Sequence, residues 1–209
     1  MQPTRTLTAH CTLSHPADGQ PLLTINNEHA KAEISLFGAH VLRYQRHGEP
    51  ASLWLSDKAV LDGSKPIRGG IPLCWPWFGP APARVGSGKP AHGFARTSLW
   101  TLDGVSDHGD GTLVHLSLRD TDASRALWPH AFELELDVLV GKELSLVLTT
   151  RNTGKTPLTY NAALHTYLQI SAPEAVSVTG LGEPYADKLT GQDGQQQGAL
   201  TLIAAIDRV

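Results

Sequence analysis

The sequence lacks most features that identify secreted, membrane-bound and metal-binding proteins. Its 209 residues contain only two cysteines, Cys11 and Cys74, which are too few for a disulfide framework and lack the spacing of metal ligands. No stretch approaches the ~18 uninterrupted apolar residues that span a bilayer, and residues 1–20 hold no apolar core of signal-peptide length. We therefore expect a soluble, cytoplasmic protein with reduced, inert thiols and no membrane partner.

The sequence also lacks a large excess of charge of one sign. The formal net charge is -3, and acidic and basic residues are mixed along the chain, so no large surface attracts a polyanion. We therefore expect no nucleic-acid partner, although a local pair of arginines is enough to hold one phosphate. Apolar residues make up 41% of the chain and charged residues 18%. This composition predicts one domain with a sizeable core, spanning residues 1–209.

The patterns that are present are those of strands and turns. Residues 131–140 alternate strictly between apolar and polar, as in a half-buried antiparallel strand. One face carries Phe132, Leu134, Leu136, Val138 and Val140. After a break at Gly141-Lys142, the alternation resumes over residues 143–151, which predicts a hairpin.

Shorter strand-like runs are separated by Gly, Pro, Asp and Asn clusters. They are Lys31–Phe37, Val41–Gln45, Ser52–Leu55, Leu99–Leu102, Thr112–Arg119, Leu158–Ile170 and Ala199–Ala205. Thr121–Trp128 is compatible with one or two helical turns after a capping residue, and Gln192–Gly198 resembles an exposed turn. The pattern predicts an all-β antiparallel sandwich. An unpaired sheet edge after the last run favours self-association, so we expect a monomer or an edge-mediated homo-oligomer.

The most unusual segment is Ile67–Pro80, IRGGIPLCWPWFGP, followed by Ala91–Arg96, AHGFAR. Two prolines in this aromatic run exclude a central strand. One interpretation is an aromatic-walled pocket, shaped by Trp75, Trp77 and Phe78, with Arg68 and Arg96 at its rim, because guanidinium groups suit phosphate or carboxylate. The other interpretation is a proline-kinked core loop whose arginines pair with acids.

A second feature is residues 161–168, NAALHTYL, where His165 lies in an apolar, strand-like stretch. It is either a core histidine or an acid-base catalyst, since imidazole changes charge near neutral pH. His92, inside AHGFAR, has the same two interpretations. The other eight histidines fall in polar or turn-like settings and are expected at the surface.

Motifs for metals and nucleotides are not found. The histidines and cysteines form no H-E-x-x-H and no closely spaced ligand pair, and no G-x-S-x-G serine elbow is present. The sequence therefore implies neither a metal nor a cofactor.

Four segments together resemble one known family. IRGGIPLCWPWFGP, then AHGFAR followed by Trp100, then NAALHTYL, then GLGEPYADK at residues 180–188 are similar in kind and order to segments of the glucose-6-phosphate 1-epimerases, which belong to the galactose-mutarotase-like superfamily. The match runs from about Ala30 to the last residues, where IDRV also fits. The combination of the first two motifs is the specific part of this resemblance.

The resemblance implies a galactose-mutarotase-like β-supersandwich and interconversion of the α and β anomers of a hexose 6-phosphate, without a cofactor. By position, His165 matches the family's general acid, and Arg68 and Arg96 match arginines on the phosphate side. The remaining matched positions are those of a second histidine near the sugar, an acid that contacts sugar hydroxyls and the pocket wall: His92, Asp187, Trp75, Trp77 and Phe78.

The resemblance also implies a departure from the family. Its general base is a glutamate past the IDRV-like segment, in a stretch that this sequence does not contain, together with strands that close the sandwich. We therefore expect weak binding of glucose 6-phosphate and little or no anomerisation by this chain. The alternatives are a sugar-phosphate binding protein without turnover and an interaction protein that recruits another chain through its sheet edge.

Overall fold

The computed structural model describes residues 3–181, 184–187, 190–195 and 198–201. The chain divides into two compact units, Met1–Leu168 and Gln169–Val209, which are described separately here. The expectation that residues 1–209 form one domain stays a prediction. No helix in the described ranges is long and apolar enough to cross a membrane.

The first unit holds eleven strands. In chain order they are β1 (Arg5–Thr6), β2 (Cys11–Ser14), β3 (Leu22–Asn26), β4 (Ala30–Ser35), β5 (His40–Arg46), β6 (Leu73–Cys74), β7 (Thr101–His108), β8 (Gly111–Arg119), β9 (Phe132–Gly141), β10 (Leu144–Asn152) and β11 (Ala163–Leu164). One helix, α1 (Asp122–Leu127), lies between β8 and β9, and short 3-10 turns occur at Ala83–Val85 and Ala95–Thr97.

Two antiparallel meanders make up most of this unit. Strands β1 to β5 form one sheet in sequence order, and β7 to β10 form the other. The β4–β5 and β7–β8 pairs each contain one register shift. A separate two-stranded sheet is formed by β6 and β11, which pair over only two residues. The predicted all-β antiparallel architecture is confirmed.

The core lies between the two meanders and combines apolar side chains from both. Polar side chains also join them: Asn27 donates to the Val140 carbonyl at 2.7 Å, and the Tyr44 hydroxyl donates to the Gly141 carbonyl at 3.0 Å. Because an unpaired buried carbonyl is costly, these bonds help to fix how the sheets are placed.

The β9–β10 hairpin confirms the alternation seen in the sequence. Phe132, Leu134, Leu136, Val138 and Val140 are all buried, while the acidic residues between them are partly exposed. The predicted helix is also present: the Thr121 hydroxyl accepts from the Ser124 amide, and the Ser124 hydroxyl accepts from the Thr121 amide. Such a capping box satisfies amides that the first helical turn leaves unpaired.

Other predictions were wrong in extent. Ser52–Leu55 forms isolated bridges to Leu168 and Gly69 and no continuous strand, and only Ala163–Leu164 is a strand within Leu158–Ile170. Both segments pair only briefly with their neighbours: the Ser52 amide donates to the Tyr44 carbonyl of β5, and Ala163–Leu164 pairs with β6 over two residues. Strands β1 to β3 were not predicted at all, because short runs broken by turns carry little periodic signal.

The described residues of the second unit form four short strands. These are β12 (Ser177–Val178), β13 (Tyr185–Asp187), β14 (Gln192–Gly194) and β15 (Leu200–Thr201). Strand β12 pairs with β15, and β13 pairs with β14. The expected exposed turn at Gln192–Gly198 is therefore wrong for its first three residues, which form a strand. Of Ala199–Ala205, only the start can be compared, because residues 202–209 lie outside the described residues.

Candidate functional site

A cavity of about 220 Å³ in the first unit is built around the β6–β11 pair. The pairing continues past the strands through single bonds, from the His165 amide to the Pro72 carbonyl at 3.0 Å and from the Tyr167 amide to the Gly70 carbonyl at 2.9 Å. Alternate residues of extended backbone share a face. Strand alternation therefore places His165 and Tyr167 beside Pro72 and Cys74, and all four line the cavity.

Residues 91–96, the AHGFAR motif, form another wall of the cavity. The amides of Phe94 and Ala95 both donate to the Trp75 carbonyl, at 3.0 and 3.2 Å, and Gly93 bridges to Trp75 in parallel register. This docking brings His92 and Arg96 to the cavity. Arg68, His92, Arg96 and His165, which were selected from separate motifs, thus lie in one cavity lining.

His92 is held by two bonds to one residue. Its ring Nδ1 accepts from the Gly79 amide at 3.1 Å, and its own amide donates to the Gly79 carbonyl at 2.7 Å. An Nδ1 that accepts a hydrogen bond carries no proton, so neutral His92 has its proton on Nε2. Protonating Nδ1 would break the bond to Gly79. His92 is therefore suited to donate a hydrogen bond from Nε2 as a neutral ring.

His165 is partly buried among other rings. Its ring centroid lies 5.0 Å from that of Tyr167, 5.8 Å from that of Phe78 and 6.3 Å from that of His92. Its Nδ1 is buried and has no hydrogen-bond partner within the described ranges. Unlike His92, this imidazole is not committed to one tautomer by a backbone bond, so it is the better placed of the two to exchange protons.

Arg68 and Arg96 differ in their partners from most arginines of the sheets. Several arginines of the sheets pair with acids, as Arg43 does with Glu33 at 3.1 Å. Arg96 instead donates from Nη2 to the Ala91 carbonyl at 3.0 Å, and its buried Nε has no partner among the described residues. Neither Arg68 nor Arg96 makes an ion pair in this part of the chain, which favours the anion-binding interpretation over arginines paired with acids.

The electrostatics of the lining point the same way. The lining residues of the cavity in the described ranges include two arginines and two histidines but no Asp or Glu. A pocket lined by cations and hydrogen-bond donors attracts anions, and guanidinium groups match the oxygens of a phosphate. The arrangement is therefore able to hold a phosphorylated ligand next to an imidazole.

Cys74 and Tyr167 are among the lining residues that sequence reasoning did not select. Burial raises the pKa of the Cys74 thiol, although the Arg96 charge acts in the opposite direction, so Cys74 lines the cavity as a neutral thiol. Burial raises the pKa of Cys11 to about 12, with Asp107 adding to the effect. Tyr167 was detectable in principle, because it follows His165 by two residues and so shares its face.

The aromatic residues of the first motif separate into two groups. Trp75 and Trp77 are fully buried and do not line the cavity, in contrast to the pocket-wall role expected of them. The Trp75 ring packs against Phe132 at 4.6 Å and Trp128 at 5.1 Å, as part of the core. Phe78 is not among the lining residues either, but it is 40% exposed and its ring centroid lies 4.9 Å from that of His92, so it flanks the histidines.

Asp187 belongs to the second unit, at the end of β13. Its side chain is buried, and its Oδ1 accepts from the Thr190 amide at 3.4 Å. The part predicted for Asp187 in contacting sugar hydroxyls stays a prediction. Two further acids of the second unit, Glu183 and Asp207, lie outside the described residues.

One of the histidines expected at the surface is buried. His40 is 1% exposed, and its ring Nε2 lies 2.7 Å from the Gly69 carbonyl oxygen. Burial lowers the pKa of His40 to about 4; the bond to Gly69 opposes this shift, and the Arg96 charge adds to it. The surface prediction was wrong because the turn before β5 directs this polar residue inward.

Comparison with known proteins gives a consistent result. The family model for aldose 1-epimerase matches residues 21–197. Two bacterial proteins named "Putative glucose-6-phosphate 1-epimerase" are similar to the chain: the Escherichia coli protein is 38% identical over 82% of this chain and 56% of its own length, and the Salmonella typhimurium protein is 35% identical over 88% and 59%.

The fold agrees with the same relationship. The crystal structure of a "putative mutarotase" from Salmonella typhimurium superposes with a TM-score of 0.86 at 33% identity, covering 95% of this chain and 66% of that protein. The chain thus spans less than two thirds of the length of these relatives. Since the family model covers most of the chain and the antiparallel sandwich is shared, the chain belongs to the aldose 1-epimerase family.

Proposed function

We propose that this chain binds a hexose 6-phosphate in the cavity and promotes the interconversion of its α and β anomers through His165. The proposal depends on one observation: a single cavity is lined by Arg68, Arg96, His92 and His165, and its described lining contains no carboxylate. The relatives named as glucose-6-phosphate 1-epimerases support the choice of substrate and reaction.

The phosphate is assigned to the arginine side. Arg68 and Arg96 have no acidic partner within the described ranges, so binding a dianion does not require an existing ion pair to break. Charge-assisted bonds from guanidinium to phosphate are short and strong, and they fix the orientation of the ligand. Holding the phosphate there places the sugar ring towards the two histidines.

The two histidines of the cavity, His92 and His165, then have different roles. His92, with its Nδ1 bonded to Gly79, donates from Nε2 to a sugar oxygen as a neutral ring. His165 gives a proton to the ring oxygen while a water molecule takes the proton of the anomeric hydroxyl, and the bond between C1 and the ring oxygen breaks to give the open-chain aldehyde. Rotation about C1–C2 and the reverse proton transfers close the ring as the other anomer.

A second candidate is binding without turnover. The anomeric hydroxyl must give its proton to a base, and the described residues of the lining contain no Asp or Glu for this purpose. With the acid present and no base in reach, the site holds the ligand but accelerates exchange weakly. This matches the expectation from the sequence that anomerisation is slow.

Magnetisation exchange between the α and β anomeric protons of glucose 6-phosphate, measured by NMR, separates the candidates. Wild type, a blank without protein, His165→Ala and the control His108→Ala are compared. His108 bonds to Ser106 on β7 and does not line the cavity. We expect exchange above the blank that His108→Ala retains and that His165→Ala reduces to the level of the blank, because the proton transfer to the ring oxygen is lost.

The other outcomes are equally informative. Exchange equal to the blank, combined with saturable binding of glucose 6-phosphate, would replace the first candidate by the second. The absence of binding would exclude both. Exchange that persists in His165→Ala would remove His165 as the acid and leave the assignment of the cavity to be tested through Arg68→Ala and Arg96→Ala.

A further inference from the structure

His40 is the most deeply buried histidine of the described residues, and the reaction outlined above does not use it. It begins β5 directly after Gly38 and Ala39, both of which have positive φ, 81° and 46°. This tight turn points the ring into the protein. A buried polar ring needs a hydrogen-bonding reason to be there, because burying it without one costs free energy.

That reason is the Gly69 carbonyl, 2.7 Å from His40 Nε2. A carbonyl oxygen only accepts, so Nε2 carries the proton and donates it. Nδ1 is buried and has no partner within the described ranges, and burial lowers the pKa of the ring to about 4. His40 is therefore a neutral donor at cellular pH and adds no charge to the anion site beside it.

The bonded carbonyl belongs to the turn that carries Arg68. Gly69 and Gly70 both have positive φ, 110° and 63°. The Gly70 amide donates to the Trp54 carbonyl at 2.7 Å, and the Gly70 carbonyl accepts from the Tyr167 amide at 2.9 Å. This turn therefore connects the chain before Arg68 with the chain that carries His165 and Tyr167.

Two hydrogen bonds hold the peptide between Gly69 and Gly70: its carbonyl accepts from His40 Nε2, and its N–H donates to the Trp54 carbonyl. Glycine has no Cβ and adopts many conformations, so two successive glycines do not fix a peptide plane by themselves. Without a donor at His40, the Gly69 carbonyl would be buried and unpaired, and only the bond from the Gly70 amide to the Trp54 carbonyl would hold this peptide. Rotation there changes the direction of Arg68 on one side and the bond to Tyr167 on the other.

We propose that His40 is a positioning residue of this site, whose Nε2–H fixes the Gly69 carbonyl and thereby the placement of Arg68 and of the segment after β11 that carries His165 and Tyr167. This inference rests on the proposed function for what the site binds. The residue does not touch the ligand and acts only through the Gly69–Gly70 turn.

Two substitutions of His40 and one control test the proposal. His40→Leu keeps an apolar side chain of similar bulk but removes the donor, whereas His40→Gln keeps an N–H donor at a similar reach. The control is His47→Leu, because His47 also bonds a backbone carbonyl through Nε2, that of Asn27 at 2.8 Å, but does not line the cavity. Circular dichroism checks that each variant is folded.

The measurement is the affinity for inorganic phosphate and for glucose 6-phosphate by NMR titration. We expect His40→Leu to bind both about tenfold more weakly, as is typical when an outer partner of a binding residue is lost, and His40→Gln to recover most of this loss. His47→Leu should bind as wild type does. A folded His40→Leu variant with wild-type affinity, or a glutamine variant as weak as the leucine variant, would overturn the proposal.

Ligand-free NMR separates this inference from the proposed function. If wild type binds neither phosphate nor glucose 6-phosphate, the proposed function fails, and the amide signals of Arg68, Gly69 and Tyr167 decide about His40. They should move in His40→Leu and return in His40→Gln; no movement would contradict the positioning role. If His40→Leu does not fold, the tautomer of His40 in the wild type, observed by NMR, tests the proposal. The ring proton must lie on Nε2 at neutral pH, and a proton on Nδ1 would contradict the positioning role.

Discussion

The β9–β10 hairpin and the cavity wall, defined as residues 67–80 and 91–96, are both rich in apolar residues, but they are held by different contacts. In the hairpin, each strand pairs with its sequence neighbour over nine residue pairs, and the apolar face alternates regularly. In the cavity wall, backbone groups pair one at a time with distant segments, as the Ile71 amide does with the Val41 carbonyl at 2.9 Å.

The difference has a consequence for function. A hairpin with many equivalent bonds tolerates the loss of one, because its neighbours keep the register. The cavity wall depends on single contacts at particular residues, so it can place polar side chains in an irregular arrangement but is sensitive to each change. Binding and catalytic groups are commonly found on such segments, supported by a regular scaffold.

The largest expected effect comes from the aromatic residues of the wall. Trp75→Ala should lower the free energy of unfolding by about 3–5 kcal/mol, because it removes a fully buried ring that packs against Phe132 and Trp128. Phe78→Ala should lower it by less than about 1 kcal/mol, because the ring is 40% exposed. Urea unfolding measures both values.

The same pair of variants separates core from site. Phe78→Ala should remain folded and bind glucose 6-phosphate more weakly, since Phe78 flanks His92 and His165. A Trp75→Ala variant as stable as wild type would contradict the placement of Trp75 in the core. Unchanged affinity in Phe78→Ala would remove Phe78 from the proposed site.

A smaller effect is expected from the Gly69–Gly70 turn. In Gly70→Ala the new Cβ would overlap the Val41 carbonyl oxygen and lie 3.0 Å from His40 Nε2, whereas Gly88 has a similar φ of 74° and nothing within 4 Å of its Cβ position. Positive φ strains both variants alike. Gly70→Ala should therefore be about 2 kcal/mol less stable than the matched control Gly88→Ala. Equal stabilities in thermal unfolding would show that the turn relaxes without cost.

The smallest effect is expected in the hairpin. Arg151 pairs with Glu135 across β10 and β9 at 3.0 Å, and both side chains are exposed. Exposed ion pairs contribute little, since water and salt screen them and two flexible side chains must be ordered. Arg151→Ala should change the midpoint of thermal unfolding by less than about 2 °C. A larger drop, abolished by high salt, would show that the hairpin also depends on single contacts.

Much of the regular structure could be predicted from periodicity alone. The alternation at residues 131–140 identified β9 and its buried face, and the break at Gly141 identified the hairpin, because these signals depend on neighbours in the sequence. The short strands of the first thirty residues escaped, since two to five residues give too few repeats of a period.

The candidate site was predicted through its motifs and resemblance, but its composition was predicted only in part. Arg68, His92, Arg96 and His165 do line one cavity. The sequence did not indicate which aromatic residue of WPWF stays near the surface, because the pairing of Trp75 with Gly93 sets that direction. Asp187 lies in the second unit, and its contribution remains a prediction.

By itself, the amino-acid sequence determined the antiparallel sandwich, the faces of its longest strands and the motifs that identify the family. These depend on local alternation and on residue types in a fixed order. Only the tertiary structure decided that Trp75 belongs to the core, that Cys74 and Tyr167 line the cavity, and that His40 lies buried against Gly69. Those outcomes depend on contacts between residues far apart in the chain, and local sequence patterns carry no information about which distant backbone group a buried side chain will meet.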